Sequence, residues 1–174
     1  SLATFSAFAE GVSLYSAFAV LYSFQMRNLL KGVGQQMKWS VRDESLHSKM
    51  GCQLFRHMCS QIPGLKKECE EHVYDAALTM HNAEMTYISK LFEMGDIEGI
   101  TEYDLKHFIK KRTGDKLKEL GYEAEGKFGY DQKSIDKMAW FDHLTGGHTH
   151  TDFFAIRPTD YSKANEGEDF EDVW

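Results

Sequence analysis

Three side chains in this sequence have the types and spacing of metal ligands. Glu44 and His47 form a Glu-x-x-His pattern within a stretch of helical periodicity. Positions three apart in a helix project only about 60° from each other, so this carboxylate and imidazole can reach one ion. Glu10 lies 34 residues before Glu44, in the most apolar stretch of the chain. Carboxylate and imidazole ligands suit iron or manganese, and an unpaired carboxylate in apolar surroundings is costly.

The elements that would position these residues follow from apolar periodicity and from turn residues, and the pattern indicates an all-α fold. A helix over about 2–31, interrupted at Gly32 and Gly34, would pair with a second over about 35–61. At about 1.5 Å per residue, such an antiparallel pair brings Glu10 and Glu44 to similar heights. The remaining predicted elements are helices over about 66–91, 101–120 and 134–144 and a polar loop over 121–131. The helix over 66–91 is predicted to bury an apolar face containing Val73, Ala76, Ala77, Met80, Ala83, Tyr87 and Leu91.

Spacing alone leaves two interpretations open. Either the three residues share metal ions, or Glu10 is a protonated or hydrogen-bonded core residue beside a surface pair. The inventory is also incomplete, because ferritin-like di-metal bundles take a Glu from each of two helices and Glu-x-x-His from each of two others. Asp104 and His107 have a similar spacing, but their lysine neighbours favour a solvated face.

Composition excludes several classes of function. The net charge of −7 argues against nucleic-acid binding, because affinity for phosphates requires an excess of Lys and Arg at the binding surface. The apolar residues 1–24 would place Glu10 inside a bilayer and have no basic residue before them, so a buried helix is favoured over a membrane span or a signal peptide. Three cysteines without a metal-finger spacing indicate reduced thiols and a cytoplasmic location.

The motifs around these candidate ligands also carry a family resemblance. Ala-Glu-Gly-Val at 9–12, Arg-Asp-Glu-Ser-Leu-His at 42–47 and Thr-Asp-Phe-Phe at 151–154 resemble the radical-generating small subunit of class I ribonucleotide reductase. The separation of Glu10 from Glu44 matches that family as well. The resemblance covers essentially the whole chain but only the C-terminal half of a usual small subunit. It implies a ferritin-like helical bundle.

The resemblance assigns roles to individual residues. Glu10 and His47 are expected to be ligands of one metal, and Glu44 is expected to bridge two. The cofactor would be a di-iron centre, or alternatively manganese or a mixed manganese–iron pair. Asp43 would accept a hydrogen bond from a metal-bound histidine of the other half and join the radical-transfer chain. Tyr161 is similar to the tail tyrosine that relays the radical.

The same resemblance predicts the organisation and the partners. Residues 1–145 would form the half-bundle, in which Leu14 and Phe18 wall the metal pocket, and residues 146–174 a flexible acidic tail. The partners would be an N-terminal half of the small subunit and, through residues 161–174, the reductase large subunit, in a dimeric assembly. Either the subunit is split into two polypeptides, which is preferred, or the chain is a fragment of a longer one. The chain would be enzymatic only in that complex.

Two other classes of function stay open at this point. A ferritin-like di-iron oxidase or storage protein would use the same ligands, but it would have no use for Tyr161 or for an acidic tail that ends in Trp174. A non-catalytic helical interaction module would carry only a vestigial site. Metal analysis of a Glu44→Ala variant separates the last possibility from the other two.

Overall fold

The computed structural model describes residues 1–124 and 126–145, and helices account for most of that length. In chain order they are α1 (Leu2–Thr4), a π-helix (Phe5–Ala9), α2 (Tyr15–Met26), α3 (Lys31–Gln61), α4 (Leu65–Glu93), α5 (Glu102–Leu120), a short 3₁₀ turn (Gly126–Phe128) and α6 (Gln132–Thr145). Extended pairing in the described ranges is limited to one bridge between Ile97 and Ile100. The all-α prediction is therefore confirmed. No helix in those ranges has the length and apolarity that crossing a membrane requires.

The core forms around α5, which packs against α2, α3, α4, α6 and the π-helix. Phe141 of α6 is central to a buried aromatic cluster, because its ring makes edge-on contacts with several others. Those rings belong to Tyr15, Tyr22, Phe108 and Trp140. Edge-to-face pairs of this kind add to the free energy gained by burying the rings. Tyr15 and Tyr22 belong to α2, so the helix that follows Glu10 packs into this aromatic cluster.

The prediction of one helix over 2–31 is wrong. The chain leaves the helical path at Glu10 and resumes it at Tyr15, with Leu14 in the left-handed region at a φ of 71°. Two backbone groups that a continuous helix would pair internally bond to side chains of other helices instead. Leu14 N–H donates to Glu84, and Gly11 C=O accepts from Arg112. These tertiary contacts outweigh the local preference for helix.

The predicted break at Gly32 and Gly34 is also wrong, because both lie inside α3, which begins at Lys31. The chain turns before them, at residues 27–30, where Asn28 and Leu30 have positive φ values. Gly34 is buried, and a Cβ there would overlap the side chain of Gln25 in α2. The glycine therefore allows a close approach of two helices and does not mark a turn.

The later elements agree with the sequence to within about two residues at each boundary. The face of α4 does not agree, since Ala83 is exposed and Tyr87 is 41% exposed. The buried positions of α4 lie about one residue later in the sequence than several of the predicted ones, and one of them is acidic. The buried residues are Val73, Ala77, His81, Glu84 and Ile88.

The first turn of α5, the central helix, has a side-chain cap that can be tested. Thr101 Oγ1 accepts a hydrogen bond from the backbone N–H of Asp104 at 3.0 Å and donates to the Asp104 carboxylate at 2.7 Å. Replacing Thr101 with Ala is expected to lower the free energy of unfolding by about 1 kcal/mol, because the backbone N–H of Asp104 loses its acceptor and has no partner within the helix. Urea denaturation followed by circular dichroism measures this change.

The matched control for that substitution is Thr79→Ala on the exposed side of α4. It makes the same chemical change in a helix interior, where Ala has the higher helix propensity, so stability should stay constant or rise slightly. Equal losses in the two variants would contradict the capping role of Thr101.

Candidate metal centre

The three predicted ligands come together at one place on the surface of the bundle. Glu10 follows the π-helix directly, while Glu44 and His47 lie on adjacent turns of α3. His47 Nδ1 is 4.0 Å from Glu10 Oε1 and 4.0 Å from Glu44 Oε2. One donor atom from each residue lies within 4.8 Å of the other two. These separations slightly exceed those around a single ion, so small side-chain rotations would close the set.

Close contact between the π-helix and α3 produces this arrangement. Gly51 of α3 lies against Ser6, and a Cβ at Gly51 would overlap that serine side chain. Gly11 lies against Ser48 of α3 in the same way. Glycine at these two positions lets the backbones approach at points on either side of the cluster. The short distance between Glu10 and α3 is thus a consequence of residues that carry no metal-binding chemistry themselves.

The cluster is open to solvent on one side. The side chain of His47 is 55% exposed, that of Glu44 33% and that of Glu10 22%. Large apolar side chains that are also exposed lie on the two neighbouring elements, and they form what we call the apolar face. The apolar face consists of Phe5 on the π-helix and of Leu46, Met50, Leu54 and Met58 on α3. The last four recur every four residues and therefore share one side of the helix.

The donor set fits iron or manganese. Two carboxylates and one imidazole supply hard oxygen and nitrogen ligands, and no thiolate contributes a donor atom to the cluster. A cation bound between them would also offset the repulsion of Glu10 and Glu44, because two like charges at this distance repel each other. The number of donors is below what one such ion usually takes, so further ligands would have to come from elsewhere.

Four further residues were predicted to act at or near the site: Asp43, Tyr161, Leu14 and Phe18. Asp43 is exposed on α3 next to Glu44, and its role in radical transfer stays a prediction. Tyr161 and the whole tail from 146 to 174 lie outside the described residues. Phe18 is buried against Tyr15, but Leu14 is 55% exposed. The continuous helix that placed them one and two turns beyond Glu10 was wrong, and their role in walling the metal pocket stays a prediction.

The similar pair on α5 is not a second metal site, and its interpretation as a solvated face was wrong for Asp104. This residue is 4% exposed and accepts hydrogen bonds from Thr101 and Lys137. Burial raises the pKa of Asp104, but its hydrogen bonds to Thr101, Ser134 and Lys137 outweigh that effect and hold it below its usual value. His107 Nδ1 accepts the backbone N–H of Asp131. Both residues stabilise the junction with α6.

Sequence reasoning missed two residues that hold the segment after Glu10. Glu84 was overlooked because the buried face of α4 was placed out of phase, so the residue counted as surface. The available signal was its spacing of seven from Ala77 and four from Ile88, which puts it on one stripe with them. Arg112 is 101 residues from Gly11, the group to which it bonds, and no local pattern marks it.

A helical fold that joins two carboxylates to an imidazole is typical of the di-metal carboxylate proteins. A family model described as ribonucleotide reductase, small chain, matches residues 1–126. A probable ribonucleoside-diphosphate reductase small subunit of Invertebrate iridescent virus 3 is 31% identical over 94% of this chain and 43% of its own length. Its counterpart in Invertebrate iridescent virus 6 is 28% identical over 99% of this chain and 54% of its own length.

A third relative, the ribonucleoside-diphosphate reductase subunit beta of Enterobacteria phage T4, is 27% identical over 64% of this chain and 30% of its own length. The chain belongs to the ribonucleotide reductase small chain family. The family and the ferritin-like fold class predicted from the motifs are both confirmed. The chain spans about half of the length of the two viral relatives.

Proposed function

We propose that this chain supplies half of the ligands of a di-metal site in a reductase small subunit. The assembled subunit would generate the radical that the large subunit uses to reduce ribonucleotides to deoxyribonucleotides. The observation that carries the proposal is the convergence of Glu10, Glu44 and His47 at the junction of the π-helix and α3. Membership of the small chain family favours this function over a ferritin-like oxidase or a non-catalytic helical module.

Each of the three ligands has a distinct part in this proposal. Glu10 and His47 would hold one ion, and Glu44 would be shared between that ion and a second. When bound, the iron or manganese pair supplies the oxidising power, drawn from O2, that removes an electron from a tyrosine. The two carboxylates would offset part of the metal charge, and the helix α3 keeps Glu44 and His47 at a fixed separation. The surrounding apolar side chains limit the access of water once they are covered.

The remaining ligands would come from a polypeptide that corresponds to the N-terminal half of the small subunit. The apolar face supports this, because large apolar side chains that surround a polar cluster usually mark a contact surface. Phe5, Leu46 and Met50 are each more than half exposed. Their burial by the partner would stabilise the assembly and place its ligands opposite Glu44 and His47. We expect the complete subunit to be dimeric and cytoplasmic.

Radical transfer would use two further residues. Asp43, next to the bridging Glu44, would accept a hydrogen bond from a metal-bound histidine of the partner and so orient that ligand. Tyr161 would pass the radical onward, because a phenol can lose a proton and an electron together. Residues 166–172 hold five acids, and the chain continues to Val173 and Trp174, so the tail combines charge with apolar anchors. Such a segment can order on binding to a groove of the large subunit.

The test is reconstitution. The full chain is mixed with a polypeptide that supplies the N-terminal half of a small subunit of this family, loaded with Fe(II) and exposed to O2. We expect bound iron by metal analysis and an organic radical signal by EPR. Neither polypeptide alone should give the radical, since each lacks half of the ligands. An assembled pair that binds no metal and forms no radical would defeat the proposal.

A further inference from the structure

The segment between Glu10 and Tyr15 is held from outside its own helix. In a continuous α-helix the N–H of Leu14 would bond to Glu10 C=O, and the C=O of Gly11 would accept from Tyr15 N–H. Instead, each of these two groups bonds to a charged side chain from a distant helix. Leu14 N–H donates to Glu84 Oε1 of α4 at 3.3 Å, and Gly11 C=O accepts from Arg112 Nε of α5 at 2.6 Å. Both backbone groups that lose their helical partners are therefore hydrogen-bonded again, each by one side chain of another helix.

Glu84 is the more unusual of the two side chains, because it is 6% exposed. Its second oxygen accepts a hydrogen bond from the hydroxyl of Ser16 at 2.5 Å. The two carboxylate oxygens therefore bond to Leu14 and Ser16, at the start of α2. A buried carboxylate is costly unless hydrogen bonds satisfy it. Leu14, at a φ of 71°, is in a conformation that a non-glycine residue keeps only where its surroundings hold it. Glu84 supplies that constraint.

Arg112 connects the same segment to the helix that carries the other two ligands. Its guanidinium carbon lies 3.2 Å from the centroid of the Tyr15 ring, a close cation–π contact. The Tyr15 hydroxyl is 2.9 Å from Ser45 Oγ, and Ser45 directly follows Glu44 on α3. A chain of contacts therefore runs from Gly11, the residue after Glu10, to the neighbour of the bridging carboxylate.

We propose that Glu84 and Arg112 are positioning residues that fix the direction from which Glu10 approaches the metal. This inference rests on the proposed metal-binding function. Without the two side chains, Leu14 N–H and Gly11 C=O would be free to pair within a regular helix. The segment would then rewind, and a rewound backbone would rotate Glu10 away from Glu44 and His47. Neither positioning residue belongs to the metal-ligand cluster itself.

Titration of Mn(II) into the full chain assembled with an N-terminal half of the small subunit tests the inference, because free Mn(II) gives an EPR signal that is lost on binding. We expect Glu84→Ala to weaken Mn(II) binding about tenfold, as substitutions that disorient a ligand do. Glu84→Gln keeps an acceptor for Leu14 N–H and a group that can pair with Ser16, so its affinity should stay within about threefold of wild type. Glu71→Ala, an exposed acid on the same helix, is the matched control and should bind as wild type does.

A second measurement separates positioning from loss of the fold. In Glu84→Ala the α5 amides should keep the hydrogen-exchange protection that they have in the wild type, whereas loss of the fold would remove it. If Glu84→Ala fails to fold, Arg112→Lys provides the test: it retains the charge but loses the planar guanidinium, and it should also weaken Mn(II) binding.

The outcomes distinguish this inference from the proposed function. A wild-type assembly that binds no Mn(II) overturns the metal-binding proposal, and the inference falls with it. Wild-type binding that is unchanged in both Glu84→Ala and Arg112→Lys overturns the inference alone. Equal weakening in Glu84→Gln and Glu84→Ala also overturns it, because the acceptor for Leu14 would then be irrelevant.

Discussion

Replacing Glu44 with Ala is expected to weaken metal binding by more than about 100-fold. Substitutions that only disorient a metal ligand already cost about 10- to 100-fold, and this one removes the carboxylate proposed to contact both ions. Reconstituted complex carrying Glu44→Ala should therefore hold little iron and give no radical signal. Metal content by atomic emission and radical yield by EPR, both compared with wild-type complex, measure the effect.

The same variant should behave in the opposite way without metal. Removing Glu44 eliminates the repulsion between it and Glu10, and Ala has the higher helix propensity at an α3 position. The metal-free variant should melt at the wild-type temperature or above it, whereas the rise in Tm that metal produces in the wild type should disappear. Glu71→Ala is the control that should retain that rise. A Glu44→Ala complex that still shows the wild-type rise in Tm on adding metal would contradict the role of Glu44 as a ligand.

The course of the longer helices could be predicted because local residues determine where they end. Pro63 and Gly64 separate α3 from α4, and Gly95 and Gly99 both have positive φ values in the segment that separates α4 from α5. Gly34 misled the prediction because a glycine that permits close packing has the same local appearance as one that ends a helix. Its contact with Gln25 depends on how α2 and α3 pack together, which the local pattern around Gly34 does not specify.

The candidate site was predictable in part for a similar reason. Glu44 and His47 are neighbours on one helix, and Glu10 is conspicuous as the only charge in an apolar stretch. The distortion beside Glu10 was not predictable, because it depends on Glu84 and Arg112, which lie 70 and 101 residues from the groups to which they bond. The sequence thus indicated which three side chains meet, but the contacts that hold them in place could be identified only from the tertiary structure.

Gly11→Ala is the second substitution with a large expected effect. The added Cβ would overlap the carbonyl oxygen of Ala7 and the hydroxyl of Ser48, and it would press on the buried Lys116. A backbone carbonyl cannot move aside by changing a rotamer, so the π-helix itself would have to shift. Overpacking of this kind costs about 1–3 kcal/mol and occasionally more. For a chain of this size we expect Tm to fall by roughly 3–10 °C, measured by circular dichroism.

Gly32→Ala makes the identical chemical change in α3, where no atom lies within 4 Å of the added Cβ. It should leave stability unchanged or raise it by up to about 1 kcal/mol, because Ala restricts the unfolded chain and favours helix. If Gly11→Ala lowers stability and Gly32→Ala does not, the role of Gly11 is to leave space for neighbouring atoms and not to make the backbone flexible. Since a shifted π-helix carries Glu10 with it, Gly11→Ala should also weaken Mn(II) binding, and Gly32→Ala should not. Full metal affinity in a destabilised Gly11→Ala chain would separate the packing at Gly11 from the placement of Glu10.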